Sequence, residues 1–126
     1  MPQYVILRHE CPADYGRPSH WDFMLESGPV LRTWALETLP REGECGIAEA
    51  LSDHRLAYLD YEGPISRGRG SVTRWDAGTY RIVHETNDEL VVELHGAQLQ
   101  LQVTLVRQSD DPQRWSISCS STASSS

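Results

Sequence analysis

The segment Ser19–Glu26, SHWDFMLE, alternates with period two. In an extended chain Trp21, Phe23 and Leu25 fall on one face and His20, Asp22 and Met24 on the other. A strand that buries its aromatic face projects an imidazole and a carboxylate from the opposite face, about 7 Å apart at the backbone. His9 follows the apolar run Tyr4-Val5-Ile6-Leu7 and is the candidate for a third ligand. Two imidazoles and a carboxylate leave coordination positions open for water or substrate oxygen, as a catalytic metal site requires. The same alternation also describes the solvent face of an ordinary amphipathic strand.

Short segments rich in Val, Ile, Thr, Tyr and Trp recur along the chain, separated by Gly, Pro, Asn or Asp. They predict strands at Gln3–Arg8, His20–Glu26, Val30–Leu36, Leu56–Tyr61, Ser71–Asp76, Thr79–Glu85, Glu89–Leu94, Leu99–Arg107 and Arg114–Ser118. Asp76-Ala77-Gly78 and Thr86-Asn87-Asp88 read as hairpin turns. The nearest approach to a helix is Gly46–Leu51. Many short strands with almost no helix predict an all-β fold, a small closed antiparallel barrel of about eight strands. With 126 residues the chain fits one domain, here residues 1–119. The polar tail Ser120–Ser126 has nothing to bury and is expected to be disordered. Cys11–Ser19 and Gly63–Gly70 (GPISRGRG) read as loops.

Mean hydropathy is −0.47. No run approaches the ~20 apolar residues of a membrane span, and no basic-then-apolar leader opens the chain. The expected compartment is the cytoplasm. Three widely spaced cysteines form no CxxC pair. A net charge of −7 argues against a generic nucleic-acid binder, which carries a basic field. All eleven basic residues are Arg, the better fork for phosphate or carboxylate.

A second cluster lies at Asp53–Gly63, DHRLAYLDYEG. A His and a Tyr near a metal, here His54 and Tyr58, can bind phosphate or relay protons. Tyr58 and Tyr61 also fit as core residues with exposed hydroxyls. The order of the motifs is more specific than any one of them. His9, HWDFMLE, Val30–Leu36 (VLRTWAL), DHRLAYLDYEG and Gly70–Tyr80 (GSVTRWDAGTY) follow one another. This series resembles the 3′-phosphoesterase domain of bacterial DNA ligase D, with its HYDFRLE-, LxSWAVPKG-, DHPLxYxxFEG- and GTVxxWDxGTW-like segments. The chain carries no ligase or polymerase motifs and so reads as a stand-alone relative. The resemblance implies a small barrel with a crescent groove holding a divalent metal, typically manganese. It implies removal of a 3′-terminal ribonucleoside and a 3′-phosphate from DNA or RNA–DNA ends, with a ligase or polymerase as a possible partner. His9, His20 and Asp22 take the metal-ligand positions, and His54 and Tyr58 the positions that contact the scissile phosphate.

This chain departs from the family pattern in three places. The HYDFRLE arginine is Met24, the lysine of the third segment aligns with Thr38, and Cys11–Ser19 contains an insertion. A phosphoryl-transfer site needs positive charge besides its metal. Arg17, Arg67 or Arg69 is the expected replacement. Arg8 also adjoins the site in sequence, although alternation turns it to the other face. If nothing replaces the lost cations, the alternative is a non-catalytic barrel that binds nucleic-acid ends or a protein partner.

Overall fold

Alternation in β1 (Gln3–Glu10) and β2 (His20–Ser27) pairs the two strands antiparallel, with Val5 opposite Met24, Leu7 opposite Asp22 and His9 opposite His20. One face of this ribbon therefore runs from the apolar pair Val5–Met24, through Leu7 opposite Asp22, to the two histidines at its end. The computed structural model describes residues 2–121 and continues from β2 through β3 (Val30–Leu36), β4 (Cys45–Arg55), β5 (Gly63–Pro64), β6 (Ser71–Glu85), β7 (Glu89–Gly96), β8 (Gln100–Gln108) and β9 (Asp111–Ser121). The order around the sheet is β1-β2-β3-β4-β9-β8-β7-β6, and β6 returns to pair with β1. This closes an eight-stranded antiparallel barrel. The two-residue β5 attaches outside it to the start of β6. Among the described residues no helix is long and apolar enough to cross a membrane.

The barrel interior takes the alternate residues that the pattern assigns to it: Tyr4 and Ile6, Phe23 and Leu25, Trp34 and Leu36, all buried. Across from them lie Leu90, Val92, Leu94, Val103, Leu105 and Trp115. Each such side chain removed from water contributes about 1.5–3 kcal/mol. Trp21 belongs to the same layer but is half-buried, and Arg8 stacks on its ring at 4.9 Å.

The other face of β1 and β2 is not a solvent face. Val5, Leu7, Met24, Leu31 and Val72 form a second buried cluster outside the barrel wall, covered by Leu56, Tyr58, Leu59 and Ile65. Most of its lid comes from a segment that adopts other structure than its local pattern predicts. Leu56–Leu59 is a single 3-10 turn, not the start of a strand. The turn lays Leu56 and Leu59, three residues apart, on one side against the outer cluster. Gly46–Leu51 is not helical but lies within β4, held between β3 and β9. Pairing with these neighbours outweighs the helix propensity of its alanines.

Asp76-Ala77-Gly78 is not a hairpin turn. It lies inside the 15-residue β6, whose first part pairs with β1 and whose last part pairs with β7. The Asp76 carboxylate is buried and accepts hydrogen bonds from Tyr4 Oη at 2.5 Å and from the backbone N–H groups of Gln98 and Leu99 at 2.8 and 3.1 Å. A turn-forming residue has become the anchor of the β7–β8 connection. Thr86-Asn87-Asp88 does turn, closed by Thr86 N–H on the Glu89 carbonyl. Ser120 and Ser121, expected in the tail, end β9; residues 122–126 lie outside the described part.

Candidate functional site

The outer face of the β1–β2 ribbon ends in a cleft of about 650 Å³. His9, His20 and Asp22 lie at its floor, all buried. Cross-strand pairing sets the two imidazoles against each other, with ring centroids 4.8 Å apart. The Asp22 carboxylate faces both: Oδ2 is 3.3 Å from His9 Nδ1 and Oδ1 is 3.0 Å from His20 Nε2. Each ring gives its other nitrogen to a backbone carbonyl. His9 Nε2–H donates to Arg69 O at 2.8 Å, and His20 Nδ1–H donates to Pro18 O at 2.9 Å. These carbonyls set ring orientation and tautomer, as partners of metal-binding histidines commonly do.

The consequence is electrostatic. With both outer nitrogens donating, neutral rings turn bare lone pairs toward the carboxylate. Such an arrangement calls for a cation between them, either a proton or a metal ion. Burial pushes the Asp22 carboxyl upward, and the two imidazoles more than reverse this and bring it down to about 2. The carboxylate in turn raises His9. Among the described residues no hydrogen is donated to the buried Asp22 Oδ1, because His20 Nε2 at 3.0 Å turns a lone pair toward it. The donor set therefore fits a divalent ion.

Cys11, unremarked by motif, offers a second donor set. Its sulfur and the ring nitrogens of His9 and His20 lie within 4.8 Å of one another. The geometry favours Asp22. Sγ is 4.0 Å from His20 Nδ1, the nitrogen already committed to Pro18, so it sits on the outer side of that ring. Burial also raises the Cys11 thiol and keeps it protonated.

His54 and Tyr58 line the same cleft and meet edge to face at 5.6 Å. His54 Nδ1–H donates to Ser52 O at 2.9 Å, which leaves Nε2 for the cleft. His54 closes β4 opposite Leu31, and Tyr58 rides on the 3-10 turn, so their proximity comes from the break between strand and turn.

The predicted cations divide. Arg17 and Arg69 line the cleft; Arg67, exposed at φ +65° in the loop, does not. Arg69 bonds Ser66 through Nε to the carbonyl at 2.9 Å and through Nη2 to the hydroxyl at 3.1 Å. Arg17 forms a two-pronged contact with Glu49, at 2.9 and 3.4 Å. Met24 lines the cleft but is buried in the outer apolar cluster. Thr38 is exposed beside a separate groove and not at this cleft. Sequence reasoning missed Arg55, an exposed cleft residue with no ion pair among the described residues. Its signal was present, because Arg55 stands at the proline position of the DHPL-like motif. Glu49 and Tyr15 were missed too; Tyr15 brings its ring to 6.1 Å from His9.

Comparison with known proteins gives the same family. The DNA ligase D 3′-phosphoesterase domain matches residues 9–107. The multifunctional non-homologous end joining protein LigD of Mycobacterium bovis is 35% identical over 121 residues, covering 89% of this chain and 15% of the relative. Its counterpart in Pseudomonas aeruginosa is 32% identical over 97 residues, covering 70% of this chain and 10% of the relative. The chain thus spans a small fraction of the length of these relatives. It belongs to the DNA ligase D 3′-phosphoesterase domain family.

Proposed function

We propose that this protein is a metal-dependent phosphoesterase that heals nucleic-acid 3′ ends, removing a 3′-terminal ribonucleoside or a 3′-phosphate. The observation that carries the reading is the buried His9–Asp22–His20 set at the cleft floor, with both outer ring nitrogens tied to backbone carbonyls. His9 Nδ1, His20 Nε2 and the Asp22 carboxylate would hold a divalent ion, manganese by family resemblance. When bound, the ion supplies Lewis-acid polarisation of a phosphoryl oxygen. His54 presents Nε2 to the phosphate or to the departing oxygen and carries a proton there. Tyr58 orients the phosphate through its hydroxyl. Arg55 and Arg69 neutralise phosphate charge in place of the arginine missing at Met24, and Arg17 joins them when it is free of Glu49. The partners are DNA or RNA–DNA 3′ ends in the cytoplasm, and a ligase or polymerase would act on the 3′-hydroxyl produced.

Met24 supports a second reading. A cation of the family pattern is replaced by a buried thioether, which fits a barrel that binds 3′ ends without turning them over. A manganese-supplemented assay on primer-templates ending in a 3′-phosphate or a 3′-ribonucleotide separates the two. Turnover by the wild type and none by His20→Ala is expected. Binding without turnover in the wild type would establish the binding module instead.

A further inference from the structure

Glu49 places a carboxylate in a cleft that, on the function proposed above, receives phosphate. Its position follows from β4, where pairing opposite Ala35 and Arg114 sets the residue on the cleft side. Its side chain has one ion-pair partner among the described residues, Arg17, which holds both carboxylate oxygens. Arg17 belongs to the Cys11–Ser19 loop. That loop is closed at its base by Cys11 N–H on Ser19 Oγ at 2.9 Å and folded by Tyr15 N–H on Pro12 O at 3.0 Å. From there it crosses to β4, with Tyr15 against His9 on the way. The attachment of the loop to β4 is thus the Arg17–Glu49 pair.

A planar fork that grips a carboxylate in two places also matches two oxygens of a phosphate. The pair is partly exposed, so solvent screens it and its two side chains separate at small cost. A phosphate carries more charge than the carboxylate when it is a monoester, and equal charge when it is a diester. We infer that Arg17 and Glu49 form a displaceable clamp: Glu49 occupies the phosphate-binding fork of Arg17 until a nucleic-acid phosphate takes its place. The subsite then admits a phosphate group, terminal or backbone, in place of the carboxylate. Glu49 sets the threshold.

The inference rests on the proposed function, and binding measurements separate the two. Dissociation constants are read by fluorescence anisotropy for single-stranded oligonucleotides ending in 3′-phosphate or in 3′-hydroxyl, across a salt series. Wild type, Glu49→Gln, Arg17→Ala and the double variant are compared. Glu49→Gln is expected to tighten binding by about three- to tenfold. It is also expected to steepen the salt dependence by about 0.7 in log–log slope, the signature of one more unencumbered phosphate contact on a single strand. A gain confined to the 3′-phosphate end places the terminal monoester on Arg17, and a gain on both ends places a backbone diester there. The gain must be larger with Arg17 present than in the Arg17→Ala background. An equal or larger gain without Arg17 makes Glu49 a simple repulsive charge and overturns the clamp alone. Absence of binding by every variant overturns the clamp together with the function beneath it.

Discussion

Gly70→Ala tests how the barrel wall and the neighbouring loop build the candidate metal centre. Gly70 sits at φ +95°, and a Cβ added there would lie 1.9 Å from the Glu10 carbonyl oxygen and 2.9 Å from its carbon. Both obstacles are backbone of β1, so no side chain can swing aside. The two segments must separate by roughly 1 Å to approach van der Waals contact. The preceding residue, Arg69, supplies the carbonyl that His9 Nε2 grips at 2.8 Å, and a shift of that size carries the contact past hydrogen-bond range. A non-glycine residue at positive φ costs about 1–2 kcal/mol, and leaving a buried partner unsatisfied costs about 1–3 kcal/mol. The expected loss is therefore about 2–5 kcal/mol, a fall in Tm of roughly 10 °C or more for a domain of this size. On the proposed metal reading, losing the carbonyl that orients His9 should also weaken metal binding about 10–100-fold. Gly68→Ala is the control: it too has a positive φ, +66°, but nothing lies within 4 Å of the added carbon. It should lose about 1 kcal/mol and keep its metal affinity. Manganese titration followed by calorimetry, with thermal melts of the metal-free proteins, reads both quantities. If Gly70→Ala binds manganese like the wild type and melts like Gly68→Ala, the Arg69 carbonyl does not position His9.

Three further outcomes are expected. Asp22→Asn should abolish manganese binding measured by titration while Cys11→Ser leaves it within about twofold; the reverse result would assign the ion to the cysteine side of the two histidines. In the metal-free protein His9 is raised above 6.5 by Asp22, so its contribution to stability is full below pH 6.5 and is lost as pH rises through the raised value. Asp22, lowered from 3.8 to about 2, contributes above pH 3.8 and loses that contribution as pH falls toward 2. Melting in the presence of chelator should accordingly show Tm falling from pH 6 to 8, with Asp22→Asn flattening the fall; a flat wild-type profile would refute the proton-bridged pair. Gly96→Ala places a carbon 1.8 Å from Tyr4 Oη and 2.5 Å from Asp76 Oδ2. It should break the buried Tyr4–Asp76 contact and cost about 2–4 kcal/mol in denaturant unfolding, whereas a loss below 1 kcal/mol would show that Tyr4 has room to retreat.

The barrel is legible in the chain because its strands alternate against one interior, so the residues that face inward announce themselves. Phe23, Leu25, Trp34 and Leu36 all follow the period-two rule. Legibility fails where long-range pairing decides local structure. Ala48, Ala50 and Leu51 have good helix propensity, yet β3 and β9 capture them as strand. Asp76 and Gly78 have turn chemistry, yet β1 on one side and β7 on the other pull the chain straight through. Nothing within a few residues of either segment records those partners.

The candidate site divides on the same principle. His9, His20 and Asp22 could be read together because a short-range antiparallel pair brings them onto one face, and the alternation that marks the strand also marks the face. That His9 and His20 keep their outer nitrogens on Arg69 O and Pro18 O could not be read, because a carbonyl carries no side-chain signature. Only the loop glycine that lets the Arg69 carbonyl approach leaves a trace. The GPISRGRG loop draws attention through its arginines, but its backbone does the positioning. The outer face of β1 and β2 also differs from what alternation alone implies. Its polar residues are buried because a second apolar layer, from Met24 and Leu31 to Leu56 and Ile65, covers the adjoining wall. That layer lowers the dielectric around Asp22 and strengthens its attraction for any cation brought between the two imidazoles. A carboxylate exposed on an ordinary strand face would gain little from such an ion. Buried here between two ring nitrogens whose other ends are tied down, it gains much more, so the packing of the outer cluster and the chemistry of the site are one structural decision.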